Sequence, residues 1–217
     1  MKPRICAAIT DANITAIKEA EPFVELFEMR IDLIGEDWPD LARELKRPWI
    51  ACVRDRDEGG SWAGDDSEKI DNLLSAVRLG ASLVDIELKT SNLKEILPEI
   101  KPRAECILST HILEKTPPLN ELKEIVQRQL EAGADIRKVV TTARSFADNL
   151  TVLKLVSEHS KTKIVSFAMG PSGITSRILS PLLGGYLTYA SLGEGKESAP
   201  GQVTVSELTN IYRMMAK

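Results

Sequence analysis

Residues 133–142 read Gly133-Ala134-Asp135-Ile136-Arg137-Lys138-Val139-Val140-Thr141-Thr142, which sets one lysine inside a run typical of a buried parallel strand. The run predicts a strand over 136–142, after a helix that Gly133 ends. Branched apolar side chains usually fill the inward positions of a parallel barrel, so an inward lysine is costly to desolvate unless the site uses it. Burial beside other cations would lower the pKa of Lys138 and free its amine to form a Schiff base. An outward-facing or helix-capping Lys138 fits this stretch about as well.

The whole chain alternates short β-rich runs with amphipathic runs. Strands are predicted over 5–10, 23–34, 48–54, 83–88, 105–109, 136–142, 163–168 and 186–191. Helices are predicted over 13–20, 38–45, 70–79, 91–98, 119–132, 145–159, 173–183 and 204–215, with Ser91 capping the fourth and Pro98 ending it. Eight β-then-α units without a linker predict a single (β/α)8 (TIM) barrel, with one catalytic domain over residues 1–217.

An open parallel sheet that binds a nucleotide is the competing fold. That fold needs a glycine-rich phosphate-binding turn after an early strand. The residues after the first predicted strand, Asp11-Ala12-Asn13, include no glycine. A chain of 217 residues makes a compact barrel, because about 250 residues are typical of the fold. The sequence therefore favours the barrel.

The composition argues against several classes of function. The net charge is −4, aromatic residues make up 5%, and no run of Lys and Arg is present, so we expect no nucleic-acid partner. No apolar run approaches the roughly 18 residues of a membrane span, and no signal peptide is recognisable, so we expect a cytoplasmic protein without a membrane partner. Three cysteines in apolar runs and only two histidines match no common metal site.

Polar residues follow the predicted strands at the end where barrel enzymes carry their chemistry. They are Glu28, Arg30, Asp32, Arg54, Glu58, Asp85, Glu87, His111, Lys138, Arg177, Ser198 and Gln202. Asp32, Asp85 and Glu87 could equally form a paired charge lattice inside the barrel. Arg54 and Arg177 could lie on the surface, although a guanidinium suits a substrate carboxylate. His111 could be structural, but beside an inward lysine it becomes a candidate proton shuttle.

These residues together resemble the type I 3-dehydroquinate dehydratases, the Schiff-base-forming enzymes of the shikimate pathway of aromatic amino-acid biosynthesis. The resemblance covers almost the whole chain. It is carried by Glu28-Met29-Arg30-Ile31-Asp32, Arg54 with Glu58-Gly59-Gly60, Asp85-Ile86-Glu87, Ser109-Thr110-His111, Ala134-Asp135-Ile136-Arg137-Lys138, Met169-Gly170 with Ser176-Arg177, and Ser198-Ala199-Pro200-Gly201-Gln202. The last run and the lysine strand are highly specific when they occur together.

The resemblance implies a role for each residue. Lys138 would form an imine with the C3 ketone of 3-dehydroquinate, His111 would act as general acid and base, and Glu58 would orient His111 or hold its imidazolium. Arg177 would bind the substrate carboxylate. The remaining binding residues would be Glu28, Arg30, Arg54, Ser198 and Gln202. It also implies a hydro-lyase without metal or organic cofactor, commonly a homodimer, and here free-standing. The loop over 55–66 is the candidate lid.

Two other functions are compatible with such a barrel. A class I aldolase or transaldolase would also use a lysine in the sixth strand. Those enzymes mostly bind phosphorylated sugars, however, and the glycine pair Gly184-Gly185 precedes the eighth predicted strand instead of following it. A catalytically silent barrel that binds a small carboxylate is the second alternative. Loss of Lys138 or His111 would favour that alternative, and both residues are present.

Overall fold

The computed structural model describes residues 3–216, which form parallel strands that alternate with helices. The strands are β1 (Ile5–Ile9), β2 (Leu26–Arg30), β3 (Trp49–Cys52), β4 (Leu83–Glu87), β5 (Glu105–His111), β6 (Ile136–Thr142), β7 (Ile164–Met169) and β8 (Thr188–Ser191). The α-helices are α1 (Ile14–Ala20), α2 (Ile31–Ile34), α3 (Trp38–Glu44), α4 (Asp66–Arg78), α5 (Leu93–Ile100), α6 (Leu119–Glu131), α7 (Asp148–Glu158), α8 (Ile174–Leu179) and α9 (Val205–Met215). Among residues 3–216, no helix is long and apolar enough to cross a membrane.

The strands form one parallel sheet in the order β7-β6-β5-β4-β3-β2-β1-β8. In this register Ser109 of β5 lies beside Lys138 of β6, and Lys138 lies beside Val165 of β7. The backbone N–H of Tyr186, just before β8, donates to the carbonyl of Ile164 in β7 at 2.7 Å, which brings the two outer strands together. The sheet is thus a nearly closed barrel, and the predicted (β/α)8 fold is confirmed.

Alternate residues of each strand face the barrel interior or the surrounding helices, as the strand pleat requires. In β6, Ile136 and Val140 belong to the interior cluster, whereas Val139 packs outward against the cluster formed with α6 and α7. Lys138 therefore faces inward. An apolar layer fills the interior near the amino ends of the strands, and its members are Cys6, Leu26, Ile50, Leu83, Ile107, Ile136, Val165 and Leu187.

The strand predicted over 23–34 is wrong at both ends. Residues Glu21–Phe23 form a 3-10 turn, β2 covers only Leu26–Arg30, and Ile31–Ile34 form α2. At the carboxyl end of β2 the Arg30 guanidinium donates to Asp32 at 2.9 and 2.7 Å. This pairing holds the chain in a turn directly after Arg30, so the apolar residues that follow lie in a helix instead of continuing the strand.

The helix predicted from Ser91 to Pro98 is also displaced. Its N-cap is Asn92, in the left-handed region at φ +58°, and α5 continues through Pro98 to Ile100. Proline removes one backbone donor from a helix, but Ile96, Leu97 and Ile100 are buried against the barrel. Burial of these side chains keeps the last turn helical. The helix predicted over 173–183 is interrupted: α8 (Ile174–Leu179) is flanked by 3-10 turns at Pro171–Gly173 and Ser180–Leu183.

Candidate active site

A cavity of about 350 Å³ opens at the carboxyl ends of the strands. All nine residues assigned catalytic or binding roles by the resemblance line it: Glu28, Arg30, Arg54, Glu58, His111, Lys138, Arg177, Ser198 and Gln202. Parallel strands bring their carboxyl ends to one rim of a barrel, which explains how residues so distant in sequence meet. The remaining wall includes aromatic and apolar side chains from β7 and β8, with Phe167, Met169 and Tyr189 among them.

Lys138 projects from β6 into the barrel and is 4% exposed, so the outward-facing alternative is wrong. Its Nζ donates to Asp85 Oδ2 at 2.8 Å and lies 3.5 Å from Glu28 Oε1. The same ammonium lies 4.3 Å from the ring centroid of Tyr189, a cation–π distance. Two carboxylates and one aromatic face therefore hold the amine at the centre of the cavity floor.

The expectation of a lowered lysine pKa is wrong for this structure. Burial acts to lower the pKa of Lys138, but Asp85 and Glu28 outweigh burial and the nearby Arg54, and the pKa is raised above its ordinary value. The sequence suggested cations beside Lys138, whereas the register of the sheet brings carboxylates closer. The resting amine is therefore an ammonium ion that has to lose a proton before it can attack a carbonyl carbon.

Glu58 and His111 form a hydrogen-bonded pair at the edge of the cavity. Glu58 Oε2 accepts from the backbone N–H of His111 at 2.9 Å and lies 2.8 Å from His111 Nδ1. Burial lowers the pKa of His111 well below its ordinary value, and the cations Arg54 and Lys138 lower it further against the opposing Asp85. Burial also raises the pKa of Glu58 to about 7, although Arg54 opposes this change. The imidazole is therefore neutral, and Nε2 is the ring nitrogen left to exchange protons with a bound molecule.

The turn that carries Glu58 is fixed by its backbone. The carbonyl of Asp55 accepts from the N–H groups of Glu58 at 3.1 Å and Gly60 at 2.8 Å. Gly60 lies against the backbone of Arg54, and a Cβ atom there would be 1.9 Å from the Arg54 carbonyl oxygen. Only glycine fits at that position. In this structure the loop over 55–66 is held against the barrel, where the N–H of Ser61 donates to Asp32 at 3.0 Å.

Arg54 binds protein groups on several sides. Its Nη1 donates to Glu87 Oε1 and to Ser109 Oγ, both at 2.8 Å. Its Nη2 donates to Asp85 Oδ1 at 2.6 Å and contacts the sulfur of Cys52 at 3.3 Å. These pairs are the charge lattice considered from the sequence, and together they form a charged layer above the apolar layer. The members of the charged layer are Glu28, Arg30, Asp32, Arg54, Asp85, Glu87 and Lys138.

Arg177 lines the same cavity and, among residues 3–216, forms no ion pair with the charged layer. It projects from α8, is 1% exposed, and its guanidinium lies 4.3 Å from the ring centroid of Phe167. Within residues 3–216, neither Nε nor Nη2 of Arg177 has a hydrogen-bond partner. Burial lowers the pKa of Arg177 to about 10, against the opposing Glu28, so the side chain remains a cation at neutral pH. A buried guanidinium with two free donors on one edge fits a carboxylate.

The segment Ser198–Gln202 closes the cavity on the side of β8. Gln202 Oε1 accepts from the backbone N–H of Ser198 at 2.7 Å and from its hydroxyl at 3.2 Å. This contact turns the amide so that Nε2 is buried, and that atom has no hydrogen-bond partner in the described part of the chain. The carbonyl of Ser198 in turn accepts from Arg30 Nη1 at 3.4 Å. Gln202 therefore presents one donor to a bound molecule.

Three residues in or behind the cavity wall were not singled out from the sequence. Phe167 and Tyr189 place their rings beneath Arg177 and Lys138, with 6.1 Å between the two ring centroids. The inward position of these rings could have been predicted from the strand pleat. Phe167, for example, lies two residues after Val165 on the same face of β7. The third is Lys69, a fully buried lysine of α4. A lysine among the polar residues of an amphipathic helix gives no sequence signal of burial.

Three buried side chains present potential metal ligands in the cavity floor. Atoms of Glu28, Cys52 and Asp85 lie within 4.8 Å of one another. The ammonium of Lys138 already lies 2.8 Å from Asp85 and 3.5 Å from Glu28, so it supplies the positive charge that this group requires. Burial raises the pKa of the Cys52 thiol well above its ordinary value, which keeps it protonated and a poor ligand. The group is better described as the counter-charge of Lys138 than as a metal site.

The fold and this cavity are those of a (β/α)8-barrel enzyme with a buried lysine amine on its sixth strand. The chain belongs to the type I 3-dehydroquinase family, whose model matches residues 5–217. A 3-dehydroquinate dehydratase from Dehalococcoides mccartyi is 43% identical over 97% of this chain and 95% of its own length. The one from Methanocaldococcus jannaschii is 38% identical over 97% of this chain and 98% of its own length.

Solved structures agree with this family assignment. The 3-dehydroquinate dehydratase from Geobacillus kaustophilus matches 100% of this chain and 92% of its own, with a TM-score of 0.88 at 24% identity. The enzyme from Enterococcus faecalis matches 98% of this chain and 94% of its own, with a TM-score of 0.81 at 26% identity. The fold of the described residues, including the segments that form the cavity, is therefore shared with these structures.

Proposed function

We propose that this protein dehydrates 3-dehydroquinate to 3-dehydroshikimate, a step of the shikimate pathway, through an imine on Lys138. Family membership supports the reaction. The observation that carries the assignment is one cavity with three complementary groups: the buried amine of Lys138, the neutral imidazole of His111 and the unpaired guanidinium of Arg177. These groups match the ketone, the acidic carbon and the carboxylate of the substrate.

Substrate binding begins with the carboxylate. The free Nε and Nη2 groups of Arg177 donate to the two oxygens of this carboxylate in a bidentate pair. The free Nε2 donor of Gln202 binds a ring hydroxyl, and Ser198 and Arg30 lie next to it. Glu28 accepts from a substrate hydroxyl near Lys138. Arg54 lies beneath the substrate and holds Asp85 in place by a hydrogen bond. Contacts on several sides hold the ring so that its C3 carbonyl faces Nζ.

Imine formation requires a proton acceptor, because Lys138 rests as an ammonium. The neutral imidazole of His111 removes that proton, and the amine attacks C3 of the substrate. In the carbinolamine the nitrogen passes a second proton to the former carbonyl oxygen, and that oxygen leaves as water when His111 returns the first proton. The resulting protonated imine keeps the positive charge of the original ammonium, so Asp85 and Glu28 stabilise the intermediate by the contacts they already make.

Elimination follows from the imine. The protonated imine withdraws electrons and acidifies the C2 proton, which His111 takes to leave an enamine. The enamine expels the C1 hydroxyl as His111 protonates that group, and water is released. Hydrolysis of the imine then regenerates the Lys138 amine and the ketone of the product. Glu58, with a pKa raised to about 7 by burial, stabilises the transient imidazolium through Nδ1.

We also propose the biological setting of the reaction. One catalytic domain over residues 1–217 works in the cytoplasm as a homodimer, without nucleic-acid partners and without a cofactor. The family resemblance supports the dimer and the lack of a cofactor, and the unbroken β/α alternation supports the single domain. The charge and composition support the cytoplasmic location and the lack of nucleic-acid partners. The loop over 55–66 closes further over bound substrate. Light scattering of the purified protein tests the dimer, and a mass equal to one chain contradicts it.

A turnover assay tests the proposed function. Mixing the protein with 3-dehydroquinate should raise the ultraviolet absorbance of the conjugated enone product. Phosphorylated aldose and ketose substrates serve as the matched comparison, because an aldolase of the same fold would cleave them. No absorbance rise with 3-dehydroquinate contradicts the dehydratase assignment, and cleavage of a sugar phosphate favours the aldolase instead.

A further inference from the structure

Lys69 has an unusual position for a helix lysine. It belongs to α4, on the outside of the barrel, yet it is fully buried. Its Nζ donates to Asp55 Oδ1 at 2.9 Å and to Glu87 Oε2. Burial acts to lower the pKa of Lys69, but Glu87 and Asp55 reverse the effect and raise it, so the side chain is an ammonium. Lys69 is not among the residues that line the cavity.

One chain of ion pairs connects Lys69 to Lys138. Glu87, which accepts from Lys69 through Oε2, accepts from Arg54 Nη1 through Oε1 at 2.8 Å. Arg54 Nη2 donates to Asp85 Oδ1 at 2.6 Å, and Asp85 Oδ2 accepts from Lys138 at 2.8 Å. All five side chains are buried, so water screens these interactions little. A displacement of the Glu87 side chain would therefore move Arg54 and, through Arg54, the carboxylate of Asp85 that pairs with Lys138.

A second path connects Lys69 to His111. Asp55, the other partner of Lys69, uses its carbonyl to accept from the N–H groups of Glu58 and Gly60. These bonds shape the turn from which Glu58 reaches His111 Nδ1 at 2.8 Å. The backbone N–H of Asp55 also donates to Glu87 Oε1 at 3.2 Å. Lys69 thus contacts both the ion pairs that hold the Lys138 amine and the turn that holds Glu58 against the His111 imidazole.

We propose that Lys69 is a positioning residue for the dehydration reaction, which holds Glu87 and Asp55 and through them aligns Lys138 with the Glu58–His111 pair. The inference rests on the proposed function for its reaction, whereas the contacts themselves stand without it. Without Lys69, the one cationic partner left to the buried Glu87 within residues 3–216 is Arg54. Arg54 then has to satisfy Glu87 at the expense of Asp85, and Asp55 loses its buried cationic partner and keeps the exposed Lys89 at 3.3 Å.

Steady-state kinetics of three variants test this role. Lys69→Met should lower kcat about 10- to 100-fold through misalignment. It should leave KM within about threefold, since Arg177 and Gln202 keep their contacts. Lys69→Arg restores most of kcat because a guanidinium also pairs with two carboxylates. Lys89→Met is the matched control: Lys89 is exposed and binds Asp55 and Asp57 without touching Glu87, and its loss should leave kcat unchanged. A Lys69→Met enzyme with wild-type kcat overturns the proposal.

A double variant separates positioning from simple loss of stability. Lys69→Met leaves Glu87 as a poorly compensated buried charge, which is destabilising, whereas Lys69→Met with Glu87→Gln removes both charges. The double variant should recover much of the thermal stability and keep a low kcat, because Arg54 still lacks its anchor. Recovery of kcat together with stability shows that Lys69 serves the fold alone and contradicts the positioning role.

Hydrogen exchange without substrate provides the readout that does not depend on the reaction. The amides of Glu58 and Gly60 should exchange faster in Lys69→Met than in the wild type, and at the wild-type rate in Lys89→Met. Unchanged exchange in Lys69→Met overturns the inference even in an active enzyme. A wild-type protein that does not dehydrate 3-dehydroquinate refutes the proposed function instead, and the exchange comparison still reports whether Lys69 anchors the turn.

Discussion

The two layers of the barrel interior are built by opposite physical means. The apolar layer near the amino ends of the strands contains buried residues such as Ile50, Ile107 and Ile136 that pack by shape. The charged layer directly above contains equally buried carboxylates and cations, including Asp85 and Lys138, that pair by charge. Both layers arise from the same strands, and a single residue, Arg137, separates Ile136 from Lys138 along β6.

This contrast indicates that the apolar layer serves stability and the charged layer serves the chemistry of the site. Burial of apolar surface contributes most of the stabilising free energy of a fold, whereas buried ion pairs gain little net stability because desolvation offsets their attraction. The charged layer instead fixes the positions and protonation states of a few atoms. Changes to the apolar layer should therefore reduce stability with little effect on chemistry. Changes to the charged layer should reduce chemistry, with a smaller effect on stability where the remaining buried charges keep a partner.

The largest effect is expected at Lys138. Lys138→Ala removes the amine that forms the imine, so kcat should fall at least about 10⁴-fold, as for other nucleophile deletions. The fold should persist, because Asp85 keeps its bond to Arg54 at 2.6 Å. Absorbance assays and thermal denaturation of the same preparation measure both quantities. A folded variant with more than about one hundredth of wild-type activity would contradict the assigned role.

Loss of His111 should separate two stages of the reaction. His111→Ala keeps Lys138, so an imine should still form slowly with water as the proton acceptor, and borohydride should trap it. The value of kcat should fall about 10²- to 10⁴-fold because the general acid and base is missing. Single-turnover trapping and steady-state kinetics check the two halves of this expectation. Rapid turnover by the histidine variant would show that another group moves the protons.

The apolar layer offers the opposite test. Ile136→Ala removes buried methyl groups directly beneath the charged layer and should lower the free energy of unfolding by about 2–5 kcal/mol. Since Ile136 does not line the cavity, kcat per folded molecule should stay within about twofold of wild type. Denaturant titration and kinetics on one preparation provide the comparison. A large loss of kcat with little loss of stability would mean that the two layers are not separable.

The smallest effect concerns the pH dependence of stability at Glu58. Burial raises its pKa to about 7 in the folded protein, against an ordinary value of 4.5. A raised pKa means that the contribution of Glu58 is fully present below its unfolded pKa and is lost as pH rises through about 7. Between pH 5 and pH 8, wild type should therefore lose up to about 3 kcal/mol relative to Glu58→Gln.

Denaturant titrations of both proteins at the two pH values measure this difference. Ile136→Ala serves as the control, because its difference from wild type should not change with pH. A Glu58→Gln difference that is the same at both pH values contradicts the raised pKa of the carboxyl group.

Much of the fold and the composition of the site followed from residue patterns. Alternation along the chain predicts the eight strands, and the pleat places Lys138 on the face of Ile136 and Val140. The exceptions have tertiary causes. The Arg30–Asp32 pair ends β2 before Ile31, and burial of Leu97 and Ile100 carries α5 past Pro98. The secondary-structure propensity of a short segment reflects neither the Arg30–Asp32 ion pair nor the burial of Leu97 and Ile100. A prediction from propensity therefore misplaces both boundaries.

The electrostatic state of the site could not be predicted in the same way. A raised or lowered pKa depends on which side chain lies within a few ångströms, and the register of β4 against β6 through β5 decides that Asp85 faces Lys138. The sequence suggested cations beside the amine and therefore the wrong direction for its pKa. The role of Lys69 was equally hidden, because the α4 pattern does not tell which polar residue turns toward Glu87.

Reductive trapping on the wild-type protein tests the central claim most directly. The protein is mixed with 3-dehydroquinate, treated with borohydride, digested, and its peptides are sequenced by mass spectrometry. We predict one covalent adduct, with the mass of the reduced imine, on the peptide that contains Lys138. An adduct confined to another lysine, or dehydration of 3-dehydroquinate without any trapped adduct, would contradict the account.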